Sequence, residues 1–521
     1  MSVKKNMMEL LKVLPEWSCR MRDSENLLRE VHALSHDSRT LEAGDVFIAV
    51  RGFESDGHRY LTQAEKAGAL ALVVEEEKEG LSIPQIKVPD ARLAQSLLAA
   101  AFYDHPSRKL RLCGITGSNG KTSTSLMYRS ILEHSDIPCG LIGTVQYQSG
   151  KSTIASTLTT PDSIDLQRYL REMLEADYRE AVMEVSSIAL DQKRTAGTEF
   201  SLAAFINLGR EHLDYHKSME NYFAAKASLF QNMKDESIAV INADDAYGKR
   251  LSKMLKQPQI LFGFSEEADV RAIDLDLSTG FARFRLQLAK GMKSLTAPIP
   301  SGTYPIQLKV AGSHSVMNAL AAIALGLADG LDPEACIRGI EAYGGVERRF
   351  QEIYHGDFRV FDDHFANPGN IERTLETLAA MDYRHLWIIY AIRGNRGVGI
   401  NREMILSLGP WIQKLRLAAM VSSLSRDVTG HYNWVHEEEF SAYESAMREI
   451  GLEAACHEQL ESAICSVLER VEPGDVILLA GCQGMDAGAR LLLGELAERC
   501  PERKEEILAP LRDRVCGFEP V

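Results

Sequence analysis

The sequence predicts an α/β protein of three domains, a central mainly parallel sheet of P-loop type flanked by smaller N- and C-terminal α/β domains. Three observations carry this expectation. At 521 residues the chain is too long for one ordinary core. Short apolar runs alternate with helix-spaced segments along its length, the pattern of sheets built from strand-helix-strand units. Near residue 116 a glycine-containing loop joins one such run to an amphipathic helix.

From about Glu30 to Asp90, runs such as Val46–Val50 and Ala69–Val74 are separated by polar turns, so a small domain is expected over 1–106. The central domain is expected over 107–346. Its strands are read at Leu110–Ile115, Ala181–Val185, Leu202–Leu208 and Ile238–Asn242, and a helix is read over Lys121–Glu133. A third domain, 347–521, carries strands at Leu386–Ala391, Leu417–Val421 and Asp475–Ala480. No internal repeat or low-complexity tract interrupts these units.

Composition excludes several classes. Hydrophobic residues at 45% and charged residues at 25% describe an ordinary globular chain. A formal charge of -15 opposes nonspecific binding to nucleic acid, so no nucleic-acid partner is expected. The first residues place Lys4, Lys5, Glu9 and Lys12 among apolar ones, unlike a signal peptide, and no later run suits a bilayer span. Nine cysteines scattered from Cys19 to Cys516 without a C-x-x-C pair give neither a zinc pattern nor a disulfide framework. A cytoplasmic protein without membrane contact, monomeric or weakly dimeric, is expected.

The segment Thr116-Gly-Ser-Asn-Gly-Lys-Thr122 lies between a strand and a helix, where backbone N–H groups and the helix N-terminus favour phosphate. Lys121 is expected to reach the terminal phosphates of a nucleotide, and the Thr122 hydroxyl to coordinate magnesium. The spacing departs from G-x-x-x-x-G-K-[ST], which requires glycine at Ile115; the nearest is Gly114. Glu184, at the end of a strand in Met183-Glu-Val-Ser-Ser187, is a carboxylate too costly to bury without a cation or hydrogen bonds. The cluster Glu211-His-Leu-Asp-Tyr-His216 follows another strand end, the usual place for chemistry in open α/β sheets.

These motifs resemble the Mur ligase family, whose P-loop reads T-G-x-N-G-K-T. The segments 211–216 and Ala224-Ala-Lys-Ala-Ser-Leu-Phe230 are similar to its D-H-L-D-Y-H and A-K-x-x-L-F. The resemblance implies an ATP-dependent ligase that activates a carboxylate as an acyl phosphate and joins it to an amino acid. By it, Lys121, Glu184, His212 and Lys226 are catalytic. Thr122, Glu184, His212 and Lys226 hold Mg2+, with Lys226 carbamoylated. Gly117, Asn119, Gly120, Lys121, Thr122, Ser123, Asn242 in Asn242-Ala-Asp-Asp245, Asn318, Arg349 and Asp363 contact ATP.

Asp37-Ser-Arg39, Gly44-Asp-Val-Phe47, Asp56-Gly-His58 and Thr159-Thr-Pro-Asp162 look like the tripeptide-synthetase branch of that family, which acts on nucleotide-sugar peptides. This implies Ser38, Arg39, Thr159, Thr160, Ser186, Arg194 and Arg426 at the substrates. Departures gather where the family recognises them. S-S-H reads Ser186-Ser-Ile188, D-D-Y-A-H-T-P reads Asp362-Asp-His-Phe-Ala-Asn-Pro368, and D-N-P-R reads Ser423-Leu-Ser-Arg426. G-K-G-H-E becomes Gly481-Cys-Gln-Gly-Met-Asp486, and the G-G-D-R-D-x-x-K-R region keeps Arg396 but loses its lysine. These changes disfavour diaminopimelate as the amine and favour a smaller or more apolar amino acid. Two other readings remain at this point: the same chemistry on another carboxylate in a specialised pathway, and a nucleotide-binding regulator that no longer ligates.

Overall fold

A computed structural model describes residues 5–21, 25–52, 55–150, 152–277, 281–365, 367–453, 455–512 and 514. Lys4, Ala366 and Cys516, named above, lie outside them. The chain divides into two compact units: unit 1 comprises 1–272, 286–303 and 318–340, and unit 2 comprises 273–285, 304–317 and 341–521.

Unit 1 contains two sheets. The small one runs β1 (Leu34–Ser35), β2 (Val46–Ile48), β3 (Ala71–Val74) and β4 (Gln85–Lys87), all parallel, in chain order. Both faces of β2 and β3 are apolar and buried, which is why those segments read as near-continuous hydrophobic runs rather than alternating ones. The large sheet is built from β5 (Arg111–Thr116), β6 (Cys139–Ile142), β7 (Gln146–Gln148), β8 (Thr153–Ala155), β9 (Glu180–Glu184), β10 (Phe200–Phe205), β11 (Met233–Asn242) and β12 (Gln259–Gly263). Their order across the sheet is β12-β11-β10-β5-β9-β6-β7-β8. The pairs are parallel from β12 to β6; β7 and β8 are an antiparallel extension.

Two features of this sheet position the site. β5 lies at its centre, with β9 on one side and β10 on the other, so the chain crosses over β5 between two consecutive strands. The carboxyl ends of β5, β9 and β10 therefore flank a switch point, where open sheets leave a crevice. The floor beneath is dry: Leu112, Met183, Phe200, Ala203, Phe205 and Ile241 belong to one core cluster, and burying a side chain such as Phe205 contributes roughly 1.5–3 kcal/mol. The strand expected over Leu202–Leu208 stops at Phe205. Beyond it the side-chain amide of Asn207 bonds the loop after β5.

Strands β13 (Val270–Asp276), β14 (Phe281–Leu288) and β15 (Gly302–Ala311) each fall partly in both units. Unit 2 holds a sheet of β16 (Gln351–His355), β17 (Arg359–Asp363), β18 (Leu386–Ala391), β19 (Leu417–Ser423), β20 (Ala455–His457) and β21 (Val476–Gly481). Its order is β16-β17-β21-β18-β19-β20, parallel except for β16. Alternate residues of β18 serve opposite cores: Leu386, Ile388 and Tyr390 face one, Trp387, Ile389 and Ala391 the other. Both expected bounds of this strand hold.

Candidate active site

The loop after β5 is a curl closed by its own neighbours. Gly120 has φ +88, and a Cβ there would stand 2.3 Å from Asn318 Oδ1 on the helix Ser313–Asp329, so only glycine fits. The Asn119 N–H donates to Asn207 Oδ1 at 3.0 Å, and Asn207 Nδ2 donates to Asn119 O at 3.1 Å. Ser118 Oγ lies 3.0 Å from the Tyr222 hydroxyl and accepts from the Gly209 N–H at 2.9 Å. Helix Lys121–Glu133 then begins, with the bounds expected from its periodicity.

Two groups of side chains meet at this loop. In the first, Glu184 is buried at the end of β9 and its carboxylate accepts from Thr122 Oγ1 at 2.9 Å, from the Thr144 N–H at 2.9 Å and from Thr144 Oγ1 at 3.0 Å. Gly143 makes room for it: a Cβ there would sit 2.5 Å from Glu184 Oε1. Thr144 Oγ1 is 3.2 Å from Thr159 Oγ1, while Thr160 Oγ1 donates to Glu184 O at 2.9 Å and accepts from the Ser186 N–H at 3.0 Å. Arg194 Nη1 donates to Thr160 O at 2.8 Å. One chain of hydrogen bonds thus brings together Thr122, Glu184, Thr159, Thr160, Ser186 and Arg194, all named from sequence, and adds Thr144, which was not. Its only sequence signal is its place after a glycine at a strand end.

In the second group two lysines converge on one carbonyl. Lys121 Nζ donates to Gly117 O at 2.8 Å and to Ser118 O at 2.9 Å, and Lys226 Nζ donates to the same Gly117 O at 2.8 Å. Lys226 is 1% exposed and lies 4.7 Å from the centroid of the Tyr222 ring. Burial first, then the neighbouring Lys121 charge, hold its amine well below the ordinary lysine pKa. Burial likewise pushes the Tyr222 hydroxyl up to about 12. His212, with φ +54, starts the short helix Leu213–His216; its half-exposed ring stands edge-on to Tyr222 at 6.2 Å and its Nε2 lies 4.0 Å from Glu211 Oε2. Tyr222 and Asn207 are further residues that sequence reasoning missed.

Other named residues serve the scaffold of unit 1. Asn242 Nδ2 donates to Ile206 O at 2.8 Å, and Asp245 caps the helix Ala246–Met254 while accepting from the Leu208 N–H at 3.1 Å, so this motif ties the ends of β10 and β11. Ser123 occupies the first turn after the loop, half-buried. In the small sheet Ser38 is buried and Arg39 grips Asp37 through Nε and Nη2, at 2.9 and 2.7 Å, which holds that carboxyl down to about 2. His58 Nε2 accepts from the Glu75 N–H at 3.0 Å, so its Nδ1 carries the proton and donates to Asp56 Oδ1 at 2.7 Å.

Unit 2 carries the remaining named residues. Arg349 is exposed, while the neighbouring Arg348, at φ +57, is buried and pairs with Asp362 and Asp486. Asp363 accepts from the N–H groups of Phe350 and Phe365 at 2.8 and 2.9 Å, and burial pushes its pKa up. Arg426 pairs with Glu458 at 2.9 Å, stands 5.5 Å over the Trp434 ring, and borders a cavity of 380 Å³ with His436, Phe440, Cys456 and His457.

Three family models match the chain: Mur ligase family, catalytic domain, over 30–103; Mur ligase middle domain over 115–326; and Mur ligase, glutamate ligase domain, over 348–483. A UDP-N-acetylmuramoyl-L-alanyl-D-glutamate--2,6-diaminopimelate ligase of Geobacter metallireducens is 34% identical over 94% of this chain and 95% of its own length. The protein of that name from Listeria monocytogenes is 33% identical over 91% of this chain and 92% of its own. A solved structure of a ligase so named superposes with a TM-score of 0.68 at 24% identity, covering 92% of this chain and 93% of that one, which shows the same fold. The chain belongs to the Mur ligase family and is an ATP-dependent ligase.

Proposed function

We propose that this ligase extends a UDP-N-acetylmuramoyl peptide by one amino acid, and that its three domains are 1–106, 107–346 and 347–521. The observation that supports it is the joining of Thr122, Glu184, Thr159, Thr160 and Arg194 in one hydrogen-bonded chain beside the P-loop. Nucleotide-binding and acceptor-binding motifs thereby share a crevice in unit 1. The activities for which the relatives are named favour this acceptor over a carboxylate from another pathway.

In this reading a carboxylate oxygen of the acceptor attacks the γ-phosphorus of ATP and ADP leaves. The amino nitrogen of the incoming amino acid then attacks the acyl carbon, phosphate leaves, and the ammonium proton passes to solvent. Lys121 and the curl's N–H groups hold the phosphates. Asn242, Asn318, Arg349 and Asp363 are assigned to ATP in this reading. Ser38 and Arg39 take the uridine diphosphate end, and Ser186 the sugar-peptide.

The donors fit Mg2+. Among the described residues no group of three or more His, Cys, Asp or Glu gathers as a metal site. The hydroxyl of Thr122 and the carboxylate of Glu184 are instead hard oxygen donors, 2.9 Å apart, suited to a cation that retains water. Bound there, Mg2+ offsets the phosphate charges. His212 and Lys226 would complete the set, Lys226 as a carbamate. Its amine, whose pKa burial and the Lys121 charge hold well below the ordinary lysine value, adds CO2 as the free base with loss of a proton, and the anion so formed attracts the Lys121 ammonium.

Arg426, with Arg396, grips the α-carboxylate of the amino acid. Cys482 and Met485, both buried, stand where the family carries lysine and histidine, and that loss of polar groups favours a smaller or more apolar amino acid than diaminopimelate. No described helix is long and apolar enough to cross a membrane. We assign the enzyme to the cytoplasm, as a monomer or weak dimer. ADP release over a matrix of candidate acceptors and amino acids tests the reading. It predicts turnover with a UDP-N-acetylmuramoyl dipeptide and an apolar amino acid; turnover only with other carboxylates, or preference for diaminopimelate, would overturn the corresponding half.

A further inference from the structure

Glu439 is 3% exposed and lies in the first turn of the helix Glu437–Glu449. Its carboxylate accepts four backbone N–H groups. Oε1 takes Arg396 at 2.8 Å and Gly397 at 2.7 Å; Oε2 takes Asn395 at 3.1 Å and its own helix's His436 at 3.0 Å. Three successive amides thus converge on one buried anion, a loop shape that needs positive φ at Asn395 (+54) and Gly397 (+87). Burial opposes the charge, but the hydrogen bonds from His436, Gly397, Arg396 and Asn395 outweigh it and hold the pKa below the ordinary glutamate value.

The loop so held follows the carboxyl end of β18, and Arg426 follows the end of β19 beside it. Loop and Arg426 share a support. A Cβ on Gly394 would stand 2.1 Å from Asn433 O and 2.5 Å from Trp434 O, and the Trp434 ring underlies the Arg426 guanidinium. The loop is anchored again at its start, where Asn401 Nδ2 donates to Arg393 O at 2.8 Å. Burial raises the pKa of the Cys482 thiol after β21, and the charges of Arg393, Arg348 and Arg396 act against it.

We propose that Glu439 is a positioning residue, whose buried carboxylate fixes the loop Arg393–Gly397 so that Arg396 stands with Arg426 to receive the carboxylate of the incoming amino acid. The proposal rests on the reading of Arg396 and Arg426 given above. It explains how the amino-acid site keeps its shape in a chain whose motifs around it have changed: the geometry is held by backbone amides, which every residue except proline supplies, and by a single acid on a neighbouring helix.

Glu439→Gln keeps the size but turns one oxygen into an NH2 that faces N–H donors, so at most two of the four N–H groups stay bonded. We expect the KM for the amino acid to rise about tenfold, the loss of one or two charge-assisted hydrogen bonds' worth of order, with kcat and the KM for ATP within about twofold. Asn401→Ala, which frees the loop without touching the helix N-terminus, should move the same parameter in the same direction. Arg396→Ala separates the two ideas. If it raises the amino-acid KM and neither Glu439→Gln nor Asn401→Ala does, the positioning role fails alone. If Arg396→Ala leaves that KM unchanged, the proposal falls with its premise. Equal increases in the KM values for ATP and amino acid in Glu439→Gln would mean a general loosening of unit 2 and would also overturn it. Thermal midpoints of all three variants establish that folded protein is being compared.

Discussion

The carboxyl ends of the central sheet in unit 1 and of the sheet in unit 2 carry charge in opposite ways. In unit 1 Glu184 is held by two threonines and a backbone N–H, and Lys226 by a carbonyl and an aromatic face. In unit 2 arginine meets acid repeatedly, Arg348 with Asp362 and Asp486, Arg514 with Asp362, Arg426 with Glu458. Neutral partners leave a carboxylate or amine its charge or its nucleophilicity for phosphate, cation or CO2. The buried pairs of Arg348 and Arg514 with Asp362 are neutralised already and serve shape, while the half-exposed Arg426 can still meet a second carboxylate. This difference accounts for where the sequence keeps its motifs: phosphoryl chemistry fixes unit 1 residue by residue, whereas a shape can be rebuilt from other residues.

The largest test of this contrast is Lys226→Ala. Activity should fall by about a thousandfold, the scale on which removal of a preorganised charged group acts, and millimolar acetate should restore part of it by supplying an anion. Steady-state ADP release checks both; full activity without rescue would make Lys226 a packing residue and erase the distinction between the units. In unit 2 the effect is smaller. Arg426→Ala should raise the KM for the preferred amino acid about tenfold, because its guanidinium is half-exposed and shared with Glu458, and should leave kcat nearly unchanged. An unchanged KM would leave Arg426 with the cavity wall and nothing more.

A third test asks whether every buried charge of unit 1 is catalytic. At the opposite, amino end of the sheet Glu180 and Asp329 share Arg111, at 3.3 and 2.9 Å, with the Tyr128 hydroxyl on Asp329 at 3.0 Å. Burial, and then the Asp329 charge, push Glu180 up to about 8, against the pull of Arg111 and Lys234. The folded state therefore holds a proton that the unfolded chain releases above its ordinary carboxylate pKa of 4.5. Stability should decline as pH rises from about 4.5 to about 8, and level off above. Glu180→Gln should flatten that slope in thermal midpoints recorded across the range while leaving turnover at pH 7 within about twofold. A slope that persists in the variant would locate the proton elsewhere.

Much of this molecule follows from the sequence alone. The helix Lys121–Glu133 and the strand Leu386–Ala391 have the bounds their periodicity predicts, because each buries a continuous apolar face whose spacing is local. Gly120 was legible for the same reason: its left-handed backbone belongs to the loop itself. The large sheet, its parallel pairing and the gathering of motif residues at strand ends follow from alternation of strand and helix. What the tertiary structure decided involves residues whose partners lie far along the chain. Lys226 meets Gly117 across 109 positions, and Thr144 meets Glu184 across 40, through crossovers that bring β6, β9 and β5 side by side. A surface lysine and a buried one have the same spelling. Of the adjacent pair Arg348 and Arg349, only the packing of Asp362 and Asp486 determines which is buried. Glu439 reads as one of three consecutive acids at a helix start, and becomes distinct only because the fold turns three amides of another loop onto it. Periodicity records which face of an element is dry; which side chains meet across elements depends on strand order, and no single stretch of sequence contains that.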